Sequence, residues 1–119
     1  MRRGHRDLKV WQEAVSLVEL LYTLTSSFPA REQFGLTSQL RRAAVSIPAN
    51  IAEGCARTGT KELLHFLSIA QGSLSELDTL IEVAGRLGYL EEIESLRTRI
   101  DRVSGLTMGL TASLRRRAQ

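Results

Sequence analysis

Gln39-Leu40-Arg41-Arg42-Ala43-Ala44-Val45-Ser46-Ile47-Pro48-Ala49-Asn50-Ile51-Ala52-Glu53-Gly54 is the most informative stretch of this chain. Gln39, Arg42, Ser46, Asn50, Glu53 and Arg57 follow one another in steps of three and four, so on a helix they share one stripe. Leu36, Leu40, Ala43, Ile47, Ile51 and Gly54 keep the same steps on a neighbouring stripe. The spacing therefore predicts a helix over about 36–57. One face is for a core, and the other is polar, hydrogen-bonding and limited in shape. Such a face suits a specific contact with another helix, another subunit or a ligand. Pro48 removes one backbone donor inside this helix, so a kink is expected there, with a break into two pieces as the alternative.

Working outward, Leu8, Trp11, Val15, Val18 and Tyr22 form one apolar seam of a helix over about 7–27. Val10, Ala14, Leu17, Leu21, Leu24 and Phe28 form a second. Two adjacent seams make a wide face, enough for the chain's own core and for a partner subunit. Pro29 and Gly35 bracket the connection. A third helix is expected over about 61–87, with Leu63, Leu67, Ala70, Leu74, Leu77, Ile81 and Ala84 inward, Thr60 as its N-cap and Gly88 as its stop. Gly72 and Ser73 are small enough to admit a neighbouring helix. A fourth helix is expected over about 91–116, where Gly105 and Gly109 either weaken it or let another backbone come close. No strand-like alternation and no linker interrupts the pattern. The fold class that follows is all-α, an antiparallel up-down-up-down four-helix bundle in one domain over 1–119, with a basic arm at about 1–6 and a basic tail at about 115–119.

The composition agrees: hydrophobic residues make up 43% of the 119, and aromatics only 5%, which suits aliphatic helix packing. No apolar run approaches the roughly 20 residues that span a bilayer, and polar residues interrupt the first helix too often for a signal peptide. A single cysteine, Cys55, cannot close an internal disulfide, and the expected compartment is the cytoplasm.

Charge is distributed unevenly. Residues 1–9 carry Arg2, Arg3, Arg6 and Lys9 against Asp7; residues 96–119 carry six arginines against Asp101. Residues 60–95 are acidic, with seven carboxylates against Lys61 and Arg86. Antiparallel threading brings the start of helix one, the end of helix two, the start of helix three and the end of helix four to one pole. That pole collects Arg2, Arg3, Arg6, Lys9, Arg57, Lys61, Arg115, Arg116 and Arg117. These are the expected nucleic-acid contacts, unless terminal arginines are merely solvated. Gln39, Arg42, Ser46, Asn50, Glu53, Ser73 and Glu76 are the expected polar network between helices or subunits.

Other motifs point nowhere specific. Gly54 to Lys61 lacks the Gly-Lys-Ser/Thr order and the preceding strand of a phosphate-binding loop. Glu62-Leu63-Leu64-His65 has the Glu-x-x-His spacing of di-iron bundles, but the second copy and further carboxylates are missing. Cys55 has no base nearby in sequence, and the serines have no His/Asp pair to activate them. No catalytic residue, metal or cofactor is expected.

Taken in order, Leu8-Lys9-Val10-Trp11-Gln12-Glu13-Ala14, Phe28-Pro29, Phe34 to Ala43, Ser46-Ile47-Pro48-Ala49-Asn50-Ile51-Ala52-Glu53-Gly54, Gly72 to Leu77 and Leu87-Gly88-Tyr89-Leu90 closely resemble the four-helix-bundle proteins encoded within intervening sequences of bacterial 23S ribosomal RNA genes. The resemblance spans roughly residues 7–115. It implies a ring-like homopentamer and distant kinship to accessory proteins of diversity-generating retroelements, which bind nucleic acid together with a reverse transcriptase. The expected function is a non-enzymatic, oligomeric nucleic-acid-binding protein, with RNA ahead of DNA. The alternative is an oligomeric scaffold that docks a protein such as a reverse transcriptase.

Overall fold

The computed structural model describes residues 4–118. A 3-10 turn over Gly4–Asp7 leads into α1 (Lys9–Thr25); a second short 3-10 turn, Ala30–Glu32, precedes α2 (Leu36–Ala56); α3 (Thr60–Arg86) and α4 (Ile93–Ala118) follow. No strand occurs among the described residues. The body measures 48 × 27 × 20 Å, so its long axis is little more than one helix, since 27 residues rise about 40 Å at 1.5 Å each.

Side-chain pairings fix the direction of each helix. Arg41, early in α2, donates from Nε to Thr25 Oγ1 at the end of α1 at 2.9 Å. The Ser46 and Ser73 hydroxyls share a hydrogen bond at 2.6 Å between α2 and α3. Nearer the end of α2, Gly54 faces Leu63 and Phe66, near the start of α3. Arg97, in the second turn of α4, reaches Asp78 and Glu82 in the second half of α3, while Gln71 donates to Ser104 farther down at 2.6 Å. Arg102 closes α4 onto Glu13 of α1 at 2.6 Å. Each helix thus runs antiparallel to its sequence neighbour and α4 returns beside α1: an up-down-up-down bundle.

The core follows the sequence periodicity. Leu17 and Leu21 of α1, Leu40, Ile47 and Ile51 of α2, Leu67, Leu77 and Ile81 of α3, and Leu96 and Val103 of α4 are essentially fully buried. Burying each such side chain contributes about 1.5–3 kcal/mol against chain entropy. Of the two seams of α1, the Val10–Leu21 seam enters the core, while Leu8, Trp11, Val15 and Val18 are half-buried and Tyr22 is exposed beneath the Arg41 guanidinium. The most extensive interface lies between α2 and α3. Ala43, Ala44, Gly54 and Ala70 are buried there, and their small size lets the backbones approach.

At Pro48 the expected continuous helix forms and the alternative break does not: α2 runs unbroken through the buried proline. Pro48 leaves the Ala44 carbonyl without its ladder donor, and in the neighbouring turns Ser46 Oγ donates to the Ala43 carbonyl at 2.7 Å and Asn50 Nδ2 to the Ser46 carbonyl at 2.7 Å, adding side-chain bonds on either side of the gap. Gly59, not Thr60, occupies the N-cap of α3, and no side chain caps that end. No other helix of this chain approaches Gly72, Gly105 or Gly109, where a Cβ would meet only open space. The close approach is at Gly54, where a Cβ lies 2.9 Å from Leu63 Cδ1 and from Phe66 Cβ.

Gly88 stops α3 as expected. Its φ of 82° is the left-handed conformation that glycine tolerates. The Tyr89 N–H donates to the Ala84 carbonyl at 2.9 Å and the Gly88 N–H to the Gly85 carbonyl at 3.1 Å, which is a Schellman motif. Tyr89 is thereby aimed across the bundle end. Its hydroxyl donates to Glu32 Oε2 at 3.0 Å, its ring packs on Phe28 at 5.3 Å, and Glu32 Oε1 accepts the Leu36 N–H at 3.2 Å. One carboxylate thus satisfies the open start of α2 and ties together the two loops at this end.

Candidate nucleic-acid interface

The other end of the bundle is organised differently. The 3-10 turn before α1 packs on α2, whose N-terminal half is already taken by the end of α1 through Arg41. Gly4–Asp7 therefore sits beside the C-terminal half of α2. Arg57 caps that helix and reaches Glu62 and the Phe66 ring in α3. Arg115 lines an α3–α4 groove with Leu64, Leu67 and Ser68. The start of α1, the end of α2, the start of α3 and the end of α4 meet at one pole.

Most of the cations expected at this pole are there, but they are not equivalent. Arg2 and Arg3 lie outside the described residues. Arg57 is compensated: it pairs with Glu53 at 3.2 Å and with Glu62 at 3.9 Å. Arg6, Lys9, Lys61, Arg115, Arg116 and Arg117 are exposed and form no ion pair with a carboxylate of the described residues. Arg115 to Arg117 belong to α4 itself rather than to a tail beyond it. Successive helical residues turn by about 100°, so three arginines in a row fan around the helix end instead of sharing a side. The exposed carbonyls of that last turn also favour positive charge.

Away from this pole, Arg86, Arg97 and Arg102 are ion-paired, while Arg31, Arg41, Arg42 and Arg99 have no carboxylate partner among the described residues. Arg97 contacts Glu82, Asp78 and Glu94, and Arg86 pairs with Glu82 at 2.7 Å. Hydrogen bonds from Arg86 and Arg97 hold the Glu82 carboxyl below its ordinary range, and the Arg97 guanidinium is correspondingly harder to deprotonate. The hydrogen bond from Arg102, helped by the charges of Arg102, Lys9 and Arg99, does the same for Glu13. Cys55 is half-buried and its thiol is pushed up by desolvation, which keeps it protonated and a poor nucleophile.

The polar stripe of α2 forms a second feature. Gln39, Arg42, Ser46 and Asn50 join Ser73 and Glu76 of α3, with Ile69 and Ala43, around an open groove of about 480 Å³. The Ser46–Ser73 hydrogen bond crosses its floor. Glu53 stands apart and turns to Arg57. No group of three or more His, Cys, Asp or Glu side chains that could hold a metal occurs among the described residues, and no helix there is long and apolar enough to cross a membrane.

Reading the sequence alone missed the aromatic content of the basic pole. Trp11 has His5 edge-on at 5.1 Å and the Arg6 guanidinium carbon 5.6 Å from its ring centroid. Phe66 has His65 edge-on at 5.4 Å and the Arg57 guanidinium carbon at 5.3 Å. The Arg57–Phe66 contact crosses between helices and carries no sequence spacing. His5 and Arg6 beside Trp11, and His65 beside Phe66, were the available signals.

The architecture defines an antiparallel helical bundle with one end rich in uncompensated cations. The sequence model of the 23S rRNA-intervening sequence protein family matches residues 6–109, and the chain belongs to that family. A solved structure with the same fold is a protein of unknown function from the S23 ribosomal protein family of Bacteroides thetaiotaomicron; it is 19% identical, the match covers 87% of this chain and 95% of that one, and the TM-score is 0.79. No curated protein sequence matches the chain.

Proposed function

We propose that this protein is a non-enzymatic nucleic-acid-binding protein that grips phosphate through its basic pole, with RNA preferred to DNA. The observation that carries the reading is the clustering of Arg6, Lys9, Lys61, Arg115, Arg116 and Arg117 at one end, without carboxylate partners among the described residues, whereas the unpaired arginines elsewhere, Arg31, Arg41, Arg42 and Arg99, are scattered along the bundle. The family's tie to a ribosomal RNA intervening sequence supports RNA as the polymer. Phosphate contacts of this kind give affinity without reading bases. Fluorescence anisotropy with labelled RNA and with duplex DNA, repeated from 50 to 300 mM salt, tests it. Log affinity is expected to fall linearly with log salt, by about 0.7–0.9 for each phosphate engaged. Affinity indifferent to salt, or no binding at micromolar protein, overturns it.

We infer further that the active form is a homo-oligomer, with five subunits as the family resemblance implies. The half-buried Val15 and Val18 of α1, continued by the exposed Tyr22, support a subunit contact. Several copies of one basic pole would multiply a weak contact, and light scattering gives the subunit number. The second reading, a scaffold for a partner protein such as a reverse transcriptase, draws on Phe34, which stands 91% exposed in the loop before α2. Retention of a partner after nuclease treatment of the native complex would favour it.

A further inference from the structure

Resting on the nucleic-acid reading above, we infer that the basic pole takes unpaired strands and stacks their bases on two cation–aromatic platforms, Trp11 with Arg6 and His5, and Phe66 with Arg57 and His65. Both histidines and the only tryptophan of the chain stand at this end, in a sequence with only 5% aromatic residues. In each platform the ring is half-buried and so held in place, while Arg6, Arg57 and His65 are exposed. His5 and His65 meet their rings edge-on, at 68° and 71°. Each platform therefore offers planar groups at the surface in two orientations, and Lys61 lies one helical turn before His65.

A base has a π-face whatever its identity. It can lie on an imidazole, an indole or a guanidinium while the neighbouring phosphates meet lysine and arginine. A duplex keeps its bases stacked on each other and offers this end only its phosphates. The platforms thus add affinity for a single strand and nothing for a duplex. They also give Arg57 a purpose that its ion pairs leave open: although compensated in charge by Glu53 and Glu62, it still presents a flat group over Phe66. Both platforms adjoin the C-terminal end of α2, which the 3-10 turn of Gly4–Asp7 contacts and Arg57 caps.

The test uses the full chain with a labelled 12-nucleotide oligo(U) and a labelled RNA hairpin duplex of equal phosphate number. Anisotropy reports binding, and Trp11, the sole tryptophan, reports stacking through its own fluorescence. Oligo(U) is expected to quench Trp11 to saturation along the same isotherm as the anisotropy, and the hairpin to leave it unchanged. His65→Ala, at an exposed position, is expected to weaken oligo(U) binding by about 5-fold or more and hairpin binding not at all, and His65→Phe to restore it. Circular dichroism melts confirm that both variants fold. Equal affinity for the two ligands, with unquenched Trp11 and a neutral His65→Ala, overturns stacking and leaves phosphate binding standing. Failure of both ligands to bind overturns the nucleic-acid reading itself.

Discussion

At the end of the bundle where α2 begins, Glu32 accepts the Leu36 N–H and the Tyr89 hydroxyl, Tyr89 packs on Phe28, and the Schellman turn at Gly88 aims the tyrosine there. At the opposite end α3 starts at Gly59 without a side-chain cap, and six cations face solvent without carboxylates. The first end ties its loops together through Glu32 and Tyr89, although Arg31, Glu91 and Glu92 there stay exposed without an ion pair among the described residues. The other gathers exposed charges of one sign, at some cost in mutual repulsion, and the local ion pairs of Arg57 relieve that only in part. The difference separates a fastening from a contact surface: polar groups satisfied within the fold stabilise it, and those left unsatisfied are available to a ligand.

The largest effect that would sharpen or break this comparison is on binding. Reversing Arg115, Arg116 and Arg117 together to Glu is expected to weaken RNA binding by roughly 50-fold or more near physiological salt, and to flatten the log–log salt slope by about 2. The thermal midpoint should barely move. A large loss of stability would make those arginines part of the fastening instead.

Next comes the packing beneath the basic pole. Gly54→Val drives a branched side chain into Leu63 and Phe66, from which even a Cβ stands only 2.9 Å. Urea unfolding should show a loss of about 2–3 kcal/mol. Since Phe66 must shift, single-strand affinity should fall as well.

At the fastened end, Tyr89→Phe deletes the 3.0 Å hydrogen bond to Glu32 and keeps the ring. A loss of about 1–2 kcal/mol is expected, with RNA affinity unchanged. Altered affinity without altered stability would dissolve the distinction between the ends.

Smaller, and of opposite sign, is Gly105→Ala. The site is exposed and a Cβ there meets open space. The isolated subunit should gain about 0.5–1 kcal/mol from the better helix former. If the same change disperses the oligomer in light scattering, a neighbouring subunit covers that glycine.

The smallest effect concerns pH. Glu13 and Glu82 titrate below their ordinary value of about 4.5 in the folded chain. Their contribution is therefore complete above that value and is lost as pH falls through the lowered one. Glu82→Gln should lower the melting temperature at pH 7, and the gap from the parent should narrow progressively as pH falls below about 4.5. A gap that persists in acid would mean that shape, not charge, holds Arg97.

Much of the bundle was legible from spacing. The inward faces from Leu36 to Ile51 and from Leu67 to Ala84 are buried as their three-and-four steps predict, because burial on a helix repeats with the turn. The stop at Gly88 was legible because left-handed backbone favours glycine. At Gly72 the close approach permitted by a small residue does not occur within the chain, and of the two alternatives for Gly105 and Gly109 the approach of another helix of this chain fails, since a small residue marks where contact is permitted and not where it occurs. In the candidate interface, the convergence of both chain ends followed from counting antiparallel helices. The pairing of Arg57 with Glu62, and its position over Phe66, did not, because those contacts cross a helix boundary.

What the sequence by itself determined is periodic: four amphipathic helices, their order, their stops, and the ends on which charge accumulates. These are properties of neighbours along one chain, where a turn of 3.6 residues converts position into direction. Only the tertiary structure decided which arginines are compensated, which glycine bears close packing, and which rings and cations share a surface. Those outcomes depend on distances between residues far apart in sequence, and they emerge only when the helices are packed side by side.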